Sequence, residues 1–366
     1  MSGSTTGKNF TVSTWGESHG KAIGAVIDGC PAGILLSEQD IQDDLNRRKP
    51  GQSSLSTPRK EDDTVEILSG VFEGCTTGTP ISLIIYNRNQ RSSDYSHIRQ
   101  IYRPGHSDYT YSKKYGIRDI RGGGRSSGRE TAARVAAGAV ARRILKEFGI
   151  IVSAYTVSIG EISIDRSNFD PEEARRNPLV MPDAKAALKA CEYVENLKLR
   201  GDSAGGVVEC VINGLPSGVG EPVFEKLDAM LAKAMLSIGA VKSVEFGSGF
   251  KSALTTGSKN NDPLTATANG VIEKLSNNSG GITGGISEGF PIVIRAAFKP
   301  TPSISSSQST VTDDNQNVTV NIKGRHDPVI VPRAVVVVEA MAAITLTDYL
   351  FQRVLSRVEL IKKALI

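Results

Sequence analysis

Aromatic side chains are scarce in this 366-residue chain: one tryptophan, nine tyrosines and ten phenylalanines, 5% of the residues. That leaves little stacking surface. With no continuous basic stripe either, it argues against nucleic acid as a partner. The four cysteines (Cys30, Cys75, Cys191, Cys210) form no CxxC pair. Neither a disulfide framework nor a zinc site is therefore expected, no metal is invoked, and a reducing cytoplasm is the expected compartment. Residues 1–7 are small and polar, without the apolar core of a secretory signal. No run is read as reaching the ~18 apolar residues of a membrane span, so no membrane association is expected. Neither sign of charge dominates: 43 basic against 39 acidic side chains leave +4, too small a balance in so long a chain to imply nucleic acid. Hydrophobic residues at 39% and charged residues at 22% are ordinary globular values, which excludes wholesale disorder. The length suits one large domain or two medium ones.

Glycine is what the chain has in excess: 37 residues, above the usual ~7%. Part of the excess belongs to an internal repeat. Residues 16–34, GESHGKAIGAVIDGCPAGI, align without a gap on residues 201–219, GDSAGGVVECVINGLPSGV. Gly16/Gly201, Ser18/Ser203, Gly20/Gly205, Gly29/Gly214, Pro31/Pro216 and Gly33/Gly218 are among the identities. A second block follows, VEILSGVFEGCTTG (65–78) against VEFGSGFKSALTTG (244–257), with a helix-like stretch between the blocks in each half, 37–49 and 222–236. Two blocks in one order point to a duplication.

Each half then reads as glycine-rich loop, β-branched strand, turn, helix and strand, and closes on a long Ala/Val-rich helix, 127–147 and roughly 332–362. Helices apolar nearly all round are buried, while Ile81–Tyr86 and 318–322 carry strand patterns. The expected fold is α+β: a β-α-β sandwich with an internal pseudo-two-fold repeat, its long helices buried between mainly antiparallel sheets. The whole chain, 1–366, reads as one domain, with repeat halves at about 9–147 and 200–362. Residues 150–200 read as a connector and 300–317 as a polar loop or hairpin.

The repeat separates structural from chemical residues. Glycines present in both copies are explained by turn geometry, whereas His19 is matched by Ala204. Of four histidines, three lie in Gly/Pro loops (His19 in GESHG, His106 in RPGHSD, His326 in GRHDP) and His97 in a polar stretch. Each loop imidazole has a plain turn-bonding reading; three in separate rigid loops point to proton transfer near neutrality. GESHG and GDSAG match GxSxG, but a nucleophile elbow needs strand, turn and helix, and both copies precede strand-like sequence. In RGGGRSSGRE (121–130) a glycine loop opens a helix whose start is marked by Ser127 and Glu130, spaced as a capping box. Such a loop exposes N–H groups at the positive end of the helix dipole, and Arg121, Arg125 and Arg129 add charge. An ordinary capped helix with solvated arginines is the plain alternative. No GxxxxGK[ST] motif is present, which excludes that class of nucleotide triphosphatase. Further cations (Arg47, Arg48, Lys49, Arg103, Lys299, Arg325) also stand by glycine or proline. Together they suit a small polyanion, although residues 47–49 equally suit the C-terminal end of a helix.

GESHG, RPGHSDYTY, RGGGRSSGRE, GGITGGIS, KPTPSI and GRHDP, in that order along essentially the whole chain, resemble the chorismate synthase family. The resemblance implies an FMN-dependent lyase of the shikimate pathway. Such an enzyme converts 5-enolpyruvylshikimate 3-phosphate to chorismate and phosphate by 1,4-anti elimination, with reduced FMN and no net redox change. It also implies a β-α-β sandwich and a homotetramer. By position, His19 is similar to the histidine that assists the departing phosphate, and His106 resembles the one that protonates the N1/C2=O region of reduced FMN. Asp327 matches the aspartate that helps the flavin N5 act as base, and Ser18 and Ser127 correspond to supporting serines. Arg125, Ser126, Ser127, Gly239, Ala240, Gly284, Lys299, Pro300, Thr301, Pro302, Ser303 and Arg325 fall on FMN-binding positions. Arg48, Arg103, Arg129 and Arg325 fall on substrate or NADP-related positions, NADPH serving as an indirect reductant.

One position departs from the family pattern: Ser54 stands where a second basic residue is usual, with Arg59 and Lys60 nearby in the same loop. The readings that compete are a serine hydrolase built on GESHG or GDSAG, a non-catalytic flavin- or phosphate-binding relative, and an RNA-binding Arg/Gly protein.

Overall fold

The structure, a computed structural model, describes residues 3–53, 55–56, 61–88, 99–322 and 327–365. The expected α+β architecture is the one observed. One antiparallel sheet contains β1 (Thr5–Thr6), β2 (Thr11–Gly16), β3 (Ala22–Asp28), β4 (Val65–Ile67) and β7 (Ile81–Tyr86), in the order β1-β2-β3-β7-β4. The other contains β8 (Ile151–Ile159), β9 (Ile162–Ser163), β10 (Gly206–Asn213), β11 (Val241–Phe246) and β16 (Ile292–Phe298), in the order β11-β16-β10-β8-β9. Between the sheets lie α3 (Thr131–Glu147), packed on β2, β3 and β7, and α8 (Val331–Arg353), packed on β8 and β10; the two helices also pack on each other. One hydrophobic core runs from Phe10 to Leu350.

The sequence dictates these layers locally. In β7 the residues Ile81, Leu83 and Ile85 are fully buried while Ser82 and Ile84 are half-buried, the period-2 pattern of a sheet with one covered face. Strand β16 repeats it with Ile292, Ile294 and Ala296 inward. Helices α3 and α8 bury alanine and valine on most faces because each meets a sheet on one side and its partner helix on the other. They approach so closely that a Cβ added to Gly138 would lie 2.3 Å from Ala340 Cβ and 2.5 Å from its Cα. Helix α1 (Glu38–Arg48) opens with a reciprocal cap: Asp40 N donates to Ser37 Oγ at 3.3 Å and Ser37 N donates to Asp40 Oδ2 at 2.9 Å.

The two halves share their turn hardware. In the first, Ile34 N donates to Thr76 Oγ1 (3.0 Å), which donates to Pro31 O (2.6 Å). In the second, Val219 N donates to Ser287 Oγ (2.9 Å), which donates to Pro216 O (2.7 Å). Gly29 and Gly214 both adopt positive φ, 81° and 80°, and a Cβ on either would collide with a backbone oxygen, of Asn9 and Gly149 respectively. The start of the second repeat block holds, Val65–Ile67 of β4 matching Val244–Phe246 of β11 in register, but these bonds correct its end. The hairpin β5 (Val71–Phe72) and β6 (Cys75–Thr76) corresponds to β14 (Ile282–Thr283) and β15 (Ile286–Ser287), so GVFEGCTTGTPI (70–81) aligns on GITGGISEGFPI (281–292). The TTG at 255–257 that mimicked it lies instead in an inserted segment. That segment holds a 3-10 helix (Gly249–Leu254), α7 (Gly257–Asn260) and a small hairpin, β12 (Leu264–Ala266) with β13 (Ile272–Lys274). Strand β8, from the stretch read as a connector, occupies the place in its sheet that β2 occupies in the other.

Other boundaries shift for visible reasons. Ser127 and Glu130 do not form a capping box: Ser127 Oγ accepts from Arg129 N (3.2 Å) over a 3-10 turn, Glu130 pairs with Arg134, and α3 begins at Thr131. The second long helix ends at Arg353, and a 3-10 turn separates it from α9 (Val358–Leu365). The 222–236 helix is α6 (Leu227–Leu236), and the 300–322 region holds the hairpin β17 (Gln308–Val311) and β18 (Asn317–Val320). The expectation that no membrane-length apolar run exists is also corrected. Val331–Ser356 has mean hydropathy 1.7 over its best window, but 83% of that window is buried inside the protein, because α8 is the core helix of the sandwich. The remaining helices are α2 (Asp108–Tyr115), α4 (Pro171–Arg176) and α5 (Ala184–Leu199).

The Gly138 crossing makes a simple prediction. Gly138→Val should lower unfolding stability by about 1–3 kcal/mol through overpacking against backbone. Gly257→Ala, where an added Cβ meets nothing within 4 Å, should change it by no more than about 0.5 kcal/mol. Urea unfolding of both variants checks this, and equal losses would contradict the close crossing.

Candidate active site

The GESHG turn connects β2 to β3 and buries both Ser18 and His19, at 4% and 5% exposure. His19 packs against the glycine loop: a Cβ on Gly122 would lie 2.5 Å from His19 Cδ2 and 2.8 Å from Nε2. Glycine at 122 is therefore what admits the imidazole. Ser18 Oγ is buried with no hydrogen-bond partner among the described residues. Asn87, just after β7, holds the turn from behind, its Nδ2 donating to Glu17 O (3.0 Å) and Gly20 O (2.9 Å). In the glycine loop, Ser126 N and Oγ both donate to Gly123 O, and Ser127 N donates to Gly124 O. Part of the N–H crown expected at the helix entrance is thus turned inward. Arg125 reaches back to β2, donating to Thr14 Oγ1 (2.7 Å) and Gly16 O (3.2 Å).

Beside this loop two arginines are buried together. Arg48, at the end of α1, donates to Asp63 Oδ2 (2.7 Å), Gly128 O (2.9 Å) and Thr131 Oγ1 (3.2 Å). Arg129 pairs with Asp63 and Glu61, and its Nε donates to Asn87 Oδ1 (2.8 Å). Burial and the charges of Arg333 and Arg129 push the Arg48 guanidinium down to about 10 against the pull of Asp63, so it remains charged at neutral pH. Burial would raise the Asp63 carboxyl, but Arg48 and Arg129 outweigh it and hold the group below the usual carboxylate range. Arg333 of α8 donates to Arg48 O (3.0 Å) and pairs with Asp327. A continuous chain of contacts therefore runs from Asp327 through Arg333, Arg48, Asp63, Arg129 and Asn87 to the turn that carries His19.

The third element is the RPGHSD loop. Arg103 clasps Asp108 with Nε (2.7 Å) and Nη2 (2.8 Å), and His106 Nδ1 lies 2.9 Å from Asp108 Oδ1. Burial would raise the Asp108 carboxyl, but hydrogen bonds and charge from Arg103 and His106 hold it well below the usual range. The KPTPS segment packs on this loop: Lys299 Nζ donates to Gly105 O (2.7 Å), and Pro302 Cβ lies 3.1 Å from where a Gly105 Cβ would stand. Burial and the nearby Lys242 lower the Lys299 ammonium. Thr301 Oγ1 is a second buried hydroxyl with no hydrogen-bond partner among the described residues, and Ser303 is buried. Pro300 packs on Gly205, and Ala240, at φ 73°, accepts at its carbonyl from Lys299 N (2.9 Å). A cavity of about 600 Å³ lies between the GESHG turn, the RPGHSD loop and the glycine loop, lined by Glu17, Asp108, Tyr111, Arg118, Gly122 and Arg125 among others.

Most of the expected side chains therefore fall into connected loops: Ser18, His19, Arg48, Arg103, His106, Arg125, Ser126, Ser127, Arg129, Lys299 to 303, and Asp327. Gly239 adjoins Ala240, whereas Gly284 stands at the tip of the β14–β15 hairpin, away from these contacts. Arg325 and His326, with Ser54, Arg59, Lys60 and His97, lie outside the described residues. The sequence analysis assigns nothing to Asp63, Asn87, Asp108 and Arg333; of these only Asp108, two residues after His106, has a local signal, whereas Gly122 belongs to the glycine loop already singled out. A separate cavity of about 580 Å³ takes in Arg333 and, of the cations singled out in the sequence, Arg47 and Lys49, its other walls including Arg142, Tyr155 and Glu339.

The GxSxG alternative finds no geometry. Each copy precedes a strand, β3 or β10. Ser18 Oγ has no partner base among the described residues, and Ser203 Oγ donates to a carbonyl, Thr301 O (2.7 Å). Among the described residues, neither serine has the base that an activated nucleophile needs.

Comparisons with known proteins point to one family. The family model described as chorismate synthase matches residues 10–351. The chain is 61% identical over 363 residues to the chorismate synthase of Lachnoclostridium phytofermentans, covering 99% of both chains. It is 57% identical over 350 residues to that of Syntrophobacter fumaroxidans, covering 96% of this chain and 97% of the relative. A solved structure titled as chorismate synthase superposes with a TM-score of 0.77 at 35% identity, covering 98% of this chain and 96% of the other. With the sandwich, the glycine-backed His19 and the shared arginine–aspartate chain in place, these matches settle the assignment: the chain belongs to the chorismate synthase family, lyases of the shikimate pathway.

Proposed function

We propose that this chain converts 5-enolpyruvylshikimate 3-phosphate to chorismate and inorganic phosphate by 1,4-anti elimination, with reduced FMN bound and no net change of redox state. The observation that carries the reading is the contact chain that joins Arg48, Arg129 and Arg333 to Asp327 at one end and to the His19 turn at the other. A substrate with one phosphate and two carboxylates calls for several fixed guanidinium groups. Each guanidinium has five N–H donors. Arg48 uses three described contacts within the protein, which orient it while donors remain for a ligand.

The donor set also fits the cofactor. Ser18 Oγ and Thr301 Oγ1 are orphaned hydroxyls on loops that adjoin the same site, and Arg125 and Lys299 are cations suited to a flavin phosphate and its ring oxygens. When bound, reduced FMN supplies electron density that eases cleavage of the substrate's C–O bond. The elimination breaks a C6–H and a C3–O bond, so one proton must be accepted and one departing phosphate neutralised. We assign His19 to deliver a proton to the phosphate oxygen; its contact with Gly122 fixes the ring. Asp327, held by Arg333, is assigned to the proton-accepting side, and His106, beside Asp108, to holding a proton. Ser18 and Ser127 support these steps, and Arg48, Arg103, Arg129 and Arg325 bind the anionic groups. Reduction of the flavin is assigned to an external system, with NADPH as indirect reductant. The working form we propose is a cytoplasmic homotetramer; the exposure of Phe224 (90%), Phe250 (80%) and Leu254 (84%) supports contact with further copies.

Anaerobic incubation with chemically reduced FMN and 5-enolpyruvylshikimate 3-phosphate should release chorismate and phosphate in equal amounts, and oxidised FMN should give none. Absence of chorismate with reduced FMN would refute the reading. His106→Ala and Asp327→Ala should each lower turnover by about 10²–10⁴-fold, the usual range for a positioned proton-transfer group, while flavin affinity measured by fluorescence titration changes far less. Near-wild-type turnover in both variants would remove the assigned roles.

A further inference from the structure

We propose that Asp108 is a positioning residue that fixes the tautomer of His106, placing the proton on Nδ1 and leaving Nε2 as the nitrogen that exchanges protons. The inference rests on the functional reading above for its consequence in turnover, although its structural core does not. Asp108 is buried, and both of its oxygens are used. Oδ2 accepts from Arg103 N (3.1 Å) and Arg103 Nε (2.7 Å), with Arg118 Nη1 at 3.3 Å. Oδ1 accepts from Arg103 Nη2 (2.8 Å) and faces His106 Nδ1 at 2.9 Å.

His106 Nδ1 has a second neighbour, Arg103 Nη2 at 3.1 Å, and the two neighbours ask for opposite tautomers. A guanidinium only donates, so it would need a lone pair on Nδ1; a carboxylate only accepts, so it needs a proton there. A bare Nδ1 would point its lone pair at a carboxylate oxygen, in a buried setting where that repulsion is poorly screened. A protonated Nδ1 instead makes a charge-assisted bond to Asp108 Oδ1, and Arg103 Nη2 keeps its own shorter bond to the same oxygen. The carboxylate therefore wins. Arg103 and Arg118 hold that carboxylate in place, so the orientation of the imidazole is inherited from a clamp formed within residues 103–118. This is the arrangement by which a partner on one ring nitrogen determines what the other can do.

The test is ¹⁵N NMR of the full chain labelled at its four histidines, with His106 assigned by comparison with His106→Gln and read at a pH where its ring is neutral. The expected result is a proton on Nδ1 in the wild type and a shift of the proton to Nε2 in Asp108→Asn. That variant should also lose at least about tenfold in kcat with reduced FMN and substrate, the usual loss for removing such a partner, and Asp108→Glu should restore part of it. A wild-type ring protonated at Nε2 overturns the proposal, as does Asp108→Asn with an unchanged tautomer. If Asp108→Asn does not fold, the wild-type tautomer alone decides. A wild type with Nδ1–H that forms no chorismate would support the pairing and refute the functional reading instead.

Discussion

Two guanidinium groups buried side by side repel each other and are both stripped of water. Arg48 and Arg129 share one interior because the Asp63 carboxylate lies between them, one oxygen toward each, with Glu61 as a second anion on Arg129. Removing one partner from such a buried cluster usually costs about 3–5 kcal/mol, because the remaining charge is left uncompensated. The chain bends to place that carboxylate: Asp63 has φ 50°, a left-handed conformation that aspartate tolerates better than most residues. Around this trio the site is assembled in both directions, toward Asp327 through Arg333 and toward the His19 turn through Asn87. The charges that would meet a polyanionic substrate are thus oriented before any ligand arrives, which is how an electrostatic site avoids reorganising during the reaction.

The same turn hardware in both halves carries different chemistry. Thr76 and Ser287 lock equivalent turns, and the GESHG and GDSAG segments precede equivalent strands, β3 and β10. In the first half the turn presents Ser18 and His19 to Gly122. In the second, Ala204 replaces the imidazole, Ser203 is tied to Thr301 O, and Ala204 N donates to Pro328 O, next to Asp327. One copy thus offers a titratable ring, while the other anchors the segment that ends in the aspartate. The helices that meet at Gly138 and Ala340 hold both copies in one core.

Much of this architecture was legible in the residues themselves. The helix-like stretch 37–49 located α1, and the alternation in ISLIIY marked β7 to the residue, because both signals are local. The start of α3 was misjudged because Glu130 pairs with Arg134 instead of returning to Ser127, a competition that spacing alone does not resolve. The end of the second repeat block is misaligned because an inserted segment happens to carry TTG, and only hydrogen bonding shows which turn is equivalent. His19, His106 and the arginines stood out by type and loop context. Their organisers did not: Asp63 meets Arg129 across 66 residues and Arg333 meets Arg48 across 285, separations at which sequence carries no distance information.

The dependence of the site on Asp63 is most directly measured on Asp63→Asn, by combining thermal unfolding with calorimetric binding of 5-enolpyruvylshikimate 3-phosphate. An amide of the same shape cannot neutralise two guanidinium groups. The variant should therefore unfold at a clearly lower temperature and bind the substrate more weakly than the wild type. A variant with wild-type unfolding temperature and wild-type affinity would contradict the claim that the carboxylate bridging both arginines holds them in place.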